Sequence, residues 1–266
     1  MKNLKIQIIL FYYDRPNLVK KMGLKTVFES DYNDWEISVI DDSNEQNFDK
    51  VLEEFYKDHP DFISSKDKVK IFNTNDTLEE KKQRGDAIIG KFANDAMHSS
   101  NADITLMLCD DDGVVKSYFS ELNNFYNKRT ELNHSYCKLI TYTPIKGGKT
   151  ERAMGEWIEG GNTGVDYENF NPTPDNYLNH RRNNTHLHNV CDSSMVSWRR
   201  KEAIEEGILF RYPKTANLDA DIYSLMDRYW GNCNFNEIIG QYKAFWNGQL
   251  GHIQWSGQEA RYVATD

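Results

Sequence analysis

The first 110 residues alternate short apolar runs with longer segments whose apolar residues recur at helical spacing. Apolar runs predict strands, and apolar spacings of three and four predict amphipathic helices. The predicted strands are residues 5–13, 35–40, 68–73 and 103–108. The predicted helices are residues 16–30, 48–57 and 77–100, the last with Thr77 and Glu80 spaced as a capping pair. This alternation predicts an α/β fold, with a mainly parallel sheet between layers of helices.

The pattern changes in the second half of the chain. A helix at 118–129 and a strand at 137–143 are followed by residues from about 144 to 189 that are rich in Gly, Asn, Pro and Thr. A stretch of that length in a compact domain predicts a long functional loop. Three later segments predict regular structure: a strand at 190–198, a helix at 199–206, and a helix at 218–231 ended by Gly231.

Polar clusters follow three of the predicted strands. Residues 12–16 (YYDRP) follow the first strand, residues 41–44 (DDSN) follow the second, and residues 110–112 (DDD) follow the fourth. Ligands of parallel sheets bind at the carboxyl ends of the strands. We therefore expect these clusters to surround one crevice, although they lie far apart in the chain.

Three consecutive carboxylates repel one another, and a divalent cation would relieve that repulsion. If the strand continues through them, Asp110 and Asp112 point to one side and Asp111 to the other, because side chains alternate along a strand. Two converging carboxylates suit Mg²⁺ or Mn²⁺, since these hard cations take oxygen ligands and share them with substrate phosphates. The alternative is an acidic surface turn without a ligand.

Composition restricts the class of protein. The net charge of −9 argues against a surface that binds nucleic acid throughout, although Arg181–Arg182 and Arg199–Lys201 are basic clusters. No run of about 18 apolar residues predicts a transmembrane helix, and the first strand is too short for a signal peptide. Four cysteines without CxxC spacing indicate thiols in a reducing compartment, so we expect a cytoplasmic protein.

The segments IQIILFYYDRP, ISVIDDSNEQ and KFANDAMHSSNADITLMLCDDDG resemble, in order and spacing, the nucleotide-binding half of family 2 glycosyltransferases of the GT-A fold. The resemblance covers residues 3–130, with the departure that Ser43 follows Asp42 where the family has Gly. It implies a single GT-A domain with a Rossmann-like, mainly parallel sheet. Residues 1–130 would bind the nucleotide-sugar, and residues 131–266 would bind the acceptor and carry the loop at about 144–189.

The resemblance also implies roles for individual residues. Asp42 would contact the base, and Arg84 would approach the base or the diphosphate. Asp110 and Asp112 would hold the ribose and a Mn²⁺ or Mg²⁺ ion through an Asp-x-Asp motif, with Asp111 replacing Asp110 in a second alignment frame. The residues implied to line the nucleotide site beside the first strand are Tyr12, Asp14 and Arg15, and the C-terminal His252 would complete the metal coordination.

An inverting enzyme of this kind needs a carboxylate base that takes the acceptor's proton. Asp192 is one candidate, because its segment resembles one in which the family places an Asp before a strand and a basic helix start. Asp219 and Asp221 are the others, in a segment that resembles the family's acidic motif on a helix beside the acceptor. Two positions apart in a helix, they face different directions, and Asp219 could equally stabilise the helix N-terminus.

The function predicted on this basis is metal-dependent transfer of a hexosyl or pentosyl group from a nucleotide-sugar, with a UDP-sugar favoured. The acceptor would be a glycan or, as a minority hypothesis, a modified nucleobase in phage DNA. Two alternatives stay open: a nucleotidyltransferase of similar architecture and a non-catalytic sugar-binding module. The absence of a glycine-rich phosphate loop in residues 11–17 argues against the first, and aspartates at the strand ends argue against the second.

Overall fold

The computed structural model describes residues 2–84, 87–110, 112–144, 152–158, 161–166, 196–211, 218–231 and 234–244. The strands are β1 (Ile6–Tyr12), β2 (Trp35–Asp41), β3 (Val69–Asn73), β4 (Ile104–Cys109), β5 (Asp112–Val114), β6 (His134–Pro144), β7 (Arg152–Ile158), β8 (Gly161–Asp166), β9 (Val196–Arg199) and β10 (Asn234–Ala244). The helices are α1 (Pro16–Val19), α2 (Lys25–Phe28), α3 (Phe48–Asp58), α4 (Leu78–Arg84), α5 (Ala87–Ser99), α6 (Tyr118–Lys128), α7 (Arg200–Glu205) and α8 (Leu218–Trp230). A π-helical segment, Lys20–Leu24, joins α1 to α2, and a 3₁₀ helix, Pro60–Lys68, precedes β3.

The described strands form one mixed sheet in the order β3-β2-β1-β4-β9-β6-β10-β5, with the β7–β8 hairpin attached to β6. Strands β3, β2, β1 and β4 are parallel neighbours, whereas β9 is antiparallel to both β4 and β6. The predicted α/β fold, with its mainly parallel first half, is confirmed. Every residue of β2 is buried, as expected for a strand covered by helices on both faces.

The sequence signals that predicted a helix start at Thr77 and a helix end at Gly231 have the expected geometry. In the capping box of α4, Thr77 Oγ1 accepts the Glu80 N–H at 3.3 Å while a Glu80 oxygen accepts the Thr77 N–H at 2.8 Å. Gly231 follows α8 with a φ of +72°, a left-handed conformation that glycine adopts without strain. In the part of the chain that the structure describes, no helix is long and apolar enough to cross a membrane.

Three predicted elements differ in detail. The helix expected at 16–30 is interrupted by the π-helical segment, and the helix expected at 77–100 is described as α4 and α5. The triple aspartate does not continue β4, because the chain turns at Asp110 and begins β5 at Asp112. The predicted loop at about 144–189 contains the paired strands β7 and β8, whose three glycines and mixed polar and apolar residues give no clear apolar alternation.

Candidate functional site

The carboxyl ends of β2, β1 and β4 lie level with one another. The sheet register pairs Tyr12 with Asp41 and Phe11 with Cys109, so the polar residues that follow each strand leave the sheet at the same edge. Since β1 lies between β2 and β4, the turn after β1 lies between Asp42 and Asp110. The structure thus brings the three predicted polar clusters together.

Asp41, the last residue of β2, organises the loop that follows it. Its side chain accepts N–H groups from Ser43 at 3.0 Å and from Phe48, the first residue of α3, at 2.8 Å. It also accepts the side-chain amide of Asn73 at 3.0 Å. Asp41 is only 1% exposed, so these donors account for a buried carboxylate. Its role is therefore to hold the loop and the start of α3.

Asp42 is buried against two side chains from neighbouring elements. Its Oδ1 atom accepts the Thr74 hydroxyl at 2.7 Å and lies 3.4 Å from the Lys81 ammonium. Lys81, on α4, also donates to the carbonyls of Asp42 and Ser43, both at 2.6 Å. Because Lys81 is only 8% exposed, it fixes the Asp42 backbone and balances its charge within the protein.

Asp14 holds the same loop from the other side. Its carboxylate accepts the N–H groups of Asn44, Glu45 and Gln46 at 2.8, 2.9 and 3.2 Å. Asp14 has a φ of +51°, a conformation that Asp tolerates better than most residues. This bonding accounts for the side chain within the protein, and a direct contact between Asp14 and a nucleotide stays a prediction.

Tyr12 lies beneath the loop rather than at its surface. It is 1% exposed, packs edge-on against Phe48, and donates its hydroxyl to the Gln46 carbonyl at 3.0 Å. Burial raises the pKa of the Tyr12 hydroxyl above its ordinary value. Carboxylates around the ring raise this pKa further, those of Asp14, Asp41 and Asp110 being the strongest. Its predicted nucleotide contact is untested, and its observed contacts support the loop.

Asp110 is bound by the turn that follows β1. One carboxylate oxygen accepts the Tyr13 N–H at 3.0 Å, and the other lies 3.1 Å from the Arg15 guanidinium. The Arg15 and Asp110 side chains are 11% and 3% exposed. Asp110 and Arg15 therefore form an ion pair at this edge that is largely shielded from water.

Asp112 begins β5 and is fully buried. Its side chain accepts the Cys109 N–H at 2.6 Å, which closes the turn between β4 and β5. Asp112 pairs with Lys243 of β10 in the sheet, so the second half of the chain borders this turn. Asp111 and His252, the other predicted ligands, lie outside the described residues.

These side chains fit a cation that shares its ligands with a substrate. Two carboxylates, Asp110 and Asp112, provide the hard oxygen ligands that Mg²⁺ and Mn²⁺ take. Among the residues placed by the structure, no three His, Cys, Asp or Glu side chains form a metal-binding group. Asp110 and Asp112 are therefore the described carboxylates of the predicted cation site, and substrate phosphates are expected to complete the ligands.

The start of α8 is held against α5 at the same edge. A Cβ atom on Gly90 of α5 would lie 2.6 Å from the Arg211 carbonyl oxygen and 3.1 Å from a Leu218 methyl. The absence of a side chain at Gly90 thus allows this close approach. Four residues further along α5, the Asn94 amide bonds both the N–H and the carbonyl of Phe210, each at 2.8 Å. The Gly90 contact brings the first residue of α8 beside α5, and the Asn94 bonds fix the segment around Phe210.

Asp219 and Asp221 both lie in that first turn and are partly buried. Acidic residues here favour the helix dipole, so this position fits either predicted role. Asp192 lies outside the described residues. Arg84 ends α4, and its side chain is likewise outside the described part of the chain.

Sequence reasoning missed three residues that shape the site: Thr74, Lys81 and Asn94, whose partners lie at least 32 positions away. A polar residue within a helix or after a strand carries no sign of such a distant partner. The burial of Lys81 is the clearest example, because lysines are almost never buried unless paired.

The basic pair Arg199–Arg200 has structural partners. Arg199 donates to the carbonyls of Leu132 at 2.8 Å and Tyr126 at 3.0 Å, while Arg200 donates to those of Ala102 at 2.7 Å and Met97 at 2.9 Å. Both guanidiniums therefore bind carbonyls at or near the ends of α5 and α6. Arg181–Arg182 lie outside the described residues.

No protein-family model matches the chain, and no curated protein matches it. Solved structures do match. S. aureus TarS is similar with a TM-score of 0.53 and 16% identity over 91% of this chain and 37% of that chain. TarS 1–349 in complex with UDP-GlcNAc gives a TM-score of 0.55 and 15% identity, over 92% of this chain and 60% of that chain.

The mannosyltransferase PcManGT from Pyrobaculum calidifontis, solved with GDP-Man and Mn²⁺, gives a TM-score of 0.56 and 13% identity over 92% of this chain and 58% of that chain. The chain spans between 37% and 60% of the length of the chains in these three structures. At such identities the similarity concerns the fold, and these neighbours are GT-A-type glycosyltransferases. The chain thus has the GT-A-like α/β fold that its sequence predicts.

Proposed function

We propose that this protein transfers a sugar from a nucleoside diphosphate sugar, a UDP-sugar, to an acceptor hydroxyl with the help of Mn²⁺ or Mg²⁺. The observation that carries the proposal is the convergence of Asp42, Arg15, Asp110 and Asp112 at one sheet edge, on a fold shared with glycosyltransferases. That edge is where parallel sheets bind ligands. It offers a carboxylate for a base at one end and two carboxylates for a cation at the other.

The Asp42 contacts favour uracil as the base. Asp42 Oδ1 already accepts the Thr74 hydroxyl and pairs with Lys81, which disfavours a base that needs both carboxylate oxygens. Uracil presents a single imide N–H between two carbonyls, whereas guanine presents two adjacent N–H donors that suit a bidentate carboxylate. We expect UDP to bind more tightly than GDP, although the structural neighbours include complexes of both a UDP-sugar and a GDP-sugar.

The metal would be held by Asp110 and Asp112, with Asp111 and His252 as further candidates. Bound there, it would neutralise the diphosphate and stabilise it as the leaving group. Arg15 and Lys81 supply positive charge on the protein side of the same crevice. The ribose would lie beside Asp110, between the base end and the cation end.

The reaction would be a single inverting displacement. The acceptor oxygen forms a bond to the anomeric carbon, the bond from that carbon to the diphosphate oxygen breaks, and a carboxylate takes the hydroxyl proton. Asp219 and Asp221 are the described candidates for this base, because α5 fixes the start of α8 at the edge that carries the other site residues. Asp192 stays a candidate from the sequence.

The acceptor is proposed to be a glycan hydroxyl. The alternative, a modified base in DNA, loses one of its supports because Arg199 and Arg200 donate to backbone carbonyls. Arg181–Arg182 leave that alternative to experiment.

The test is a panel of nucleotide-sugars incubated with the protein and Mn²⁺ or Mg²⁺, with thermal shift and release of nucleoside diphosphate as readouts. We expect metal-dependent stabilisation by UDP and slow hydrolysis of one UDP-sugar. Asp112→Asn should lower turnover about 100-fold, which corresponds to losing about 3 kcal/mol of the metal's stabilisation of the transition state. The matched control is Asp95→Asn, the same change at an exposed position of α5.

Three outcomes would contradict the proposal in different ways. Stabilisation by a sugar without any turnover would indicate a binding module. Release of pyrophosphate from nucleoside triphosphates would indicate a nucleotidyltransferase. Unchanged donor turnover in Asp112→Asn would show that the cation does not use this carboxylate.

A further inference from the structure

Both oxygens of Asp110 are engaged by the turn that connects β1 to α1. Tyr13 donates its backbone N–H to one oxygen at 3.0 Å, and the Arg15 guanidinium lies 3.1 Å from the other. Arg15 is held in this turn between Asp14, whose φ is +51°, and Pro16, which begins α1. The carboxylate that a cation would use is thus already paired with a cation of the protein.

The burial of this pair makes it consequential. The Arg15 and Asp110 side chains are 11% and 3% exposed, so water screens their interaction weakly. A divalent cation approaching Asp110 would meet the positive guanidinium and would have to displace it from the carboxylate. A buried ion pair is by itself weak evidence that the pair stabilises the protein. The burial of Arg15 with Asp110 therefore calls for an explanation other than stability.

The order of the strands gives Arg15 a second possible partner. Because β1 lies between β2 and β4, a nucleotide whose base reaches Asp42 and whose phosphates reach Asp110 must cross the turn that carries Arg15. A planar guanidinium donates two parallel N–H groups to phosphate oxygens as readily as to a carboxylate. A diphosphate carries more negative charge than the single carboxylate that it would replace.

We propose that Arg15 and a divalent cation compete for Asp110, and that a nucleoside diphosphate resolves the competition by binding the Arg15 guanidinium and releasing Asp110 to the cation. Arg15 is then a positioning residue that couples nucleotide binding to metal binding. By thermodynamic linkage, each ligand strengthens the binding of the other by the same factor. This inference rests on the proposed function, since it requires a nucleoside diphosphate at this edge.

The experiment measures Mn²⁺ affinity by titration calorimetry or by the electron paramagnetic resonance of unbound Mn²⁺, with and without UDP. In the wild-type protein we expect weak Mn²⁺ binding that UDP strengthens by about tenfold or more, a coupling of about 1.4 kcal/mol. In Arg15→Gln we expect Mn²⁺ alone to bind about tenfold more tightly, because the competing charge is absent. UDP should bind this variant more weakly, and the coupling factor should be smaller than in the wild type, with the remainder coming from direct coordination of Mn²⁺ by the diphosphate.

Two further variants serve as controls. Lys20→Gln removes one positive charge from the same segment, but Lys20 pairs with Glu54 at 2.8 Å and not with Asp110. It should leave the Mn²⁺ affinity and the coupling at the wild-type values, which separates local competition from a change in net charge. Arg15→Lys keeps the charge and loses the planar fork, so Mn²⁺ alone should bind as weakly as in the wild type while UDP affinity falls. Circular dichroism establishes that each variant is folded.

The outcomes separate this inference from the function on which it rests. If UDP and Mn²⁺ do not bind the wild-type protein, the proposed function and the coupling fail together. If both bind the wild type and Arg15→Gln leaves the affinity for Mn²⁺ alone unchanged, the competition is wrong while the function stands. Should Arg15→Gln not fold, weaker UDP binding with wild-type Mn²⁺ binding in Arg15→Lys supports the proposal, and unchanged UDP binding in that variant overturns it.

Discussion

Charged side chains at the two edges of the sheet bind opposite ends of the helices. At the edge formed by the carboxyl ends of β1, β2 and β4, carboxylates accept backbone N–H groups, as Asp41 does from the first residue of α3. At the opposite edge, Arg199 and Arg200 donate to carbonyls in the last turns of α6 and α5. Helices that cross back over parallel strands begin at the first edge and end at the second. The first edge therefore presents helix N–H groups, which carboxylates accept, and the second presents helix carbonyls, to which arginines donate.

This difference separates structural charges from candidate functional ones. Asp41 and the two arginines are accounted for by helix ends and loops. Asp110 instead pairs with a side chain, the Arg15 guanidinium at 3.1 Å, and Asp112 closes the turn after β4 through the Cys109 N–H. These two carboxylates stay the predicted ligands of the cation. Arg199 and Arg200, by the same reasoning, do not mark a nucleic-acid surface.

The largest expected effect on stability comes from Asp41→Ala. Removing this 1%-exposed carboxylate leaves three donors without their acceptor, and we expect the free energy of unfolding to fall by about 4 kcal/mol. Urea denaturation at pH 7 measures it. Asp49→Ala, in the exposed first turn of α3, should cost only about 0.3–1 kcal/mol. An equally small loss at Asp41 would contradict its assignment as a structural residue.

The opposite edge contains His134, which should make stability depend on pH. Burial lowers the pKa of His134 from 6.5 to about 4, with a backbone hydrogen bond to Gly231 opposing the shift. As the pH falls from 6.5 to 4, the unfolded chain takes up a proton that the folded protein does not. The free energy of unfolding should therefore decrease by about 3 kcal/mol over that interval.

Urea titrations at several pH values between 7.5 and 4 test this prediction. In His134→Gln, the free energy of unfolding should lose about 3 kcal/mol less than in the wild type as the pH falls from 6.5 to 4. The other titrating groups are common to both proteins, so this difference isolates His134. His98→Gln, at an exposed position of α5, should retain it. If the two variants show the same pH dependence, the burial of His134 is not its source.

A smaller effect is expected where α5 meets the start of α8. Gly90→Ala would place a methyl group 2.6 Å from the Arg211 carbonyl, and the forced shift should cost about 2 kcal/mol. Because Asp219 and Asp221 lie in the displaced turn, donor turnover should fall as well while UDP affinity is retained. Lys91→Ala, at the next and exposed position, should change neither quantity. Full activity in a destabilised Gly90→Ala would argue that α8 does not supply the base.

The smallest effect concerns Arg200→Lys. Lysine retains the charge but does not donate to two carbonyls in the planar geometry of arginine, so stability should fall by about 1 kcal/mol. Lys201→Gln, next to it and exposed, should change stability by less than about 0.5 kcal/mol. Binding to duplex DNA is measured over a range of salt concentrations. A steep salt dependence that either substitution weakens would contradict the structural account and favour a DNA acceptor.

Much of this molecule could be predicted from its sequence. The apolar runs located β1 to β4, Thr77 and Glu80 located the start of α4, and Gly231 the end of α8. These predictions succeed because periodicity and capping depend on residues within a few positions of one another. The strand-end rule likewise gathered Asp42, Arg15 and Asp110 at one edge, since parallel strands end together.

The partners of each charge were decided by the tertiary structure. Asp41 and Asp42 are identical neighbours in sequence, yet one holds a helix start and the other faces Thr74 and Lys81. Likewise Asp110 and Asp112 could not be oriented from strand alternation, because the chain turns at Asp110 and pairs β5 with β10. The sequence by itself determined which residue types reach the sheet edge. Which of them pair with one another depended on contacts between residues 30 to 100 positions apart, and local patterns carry no information about such contacts.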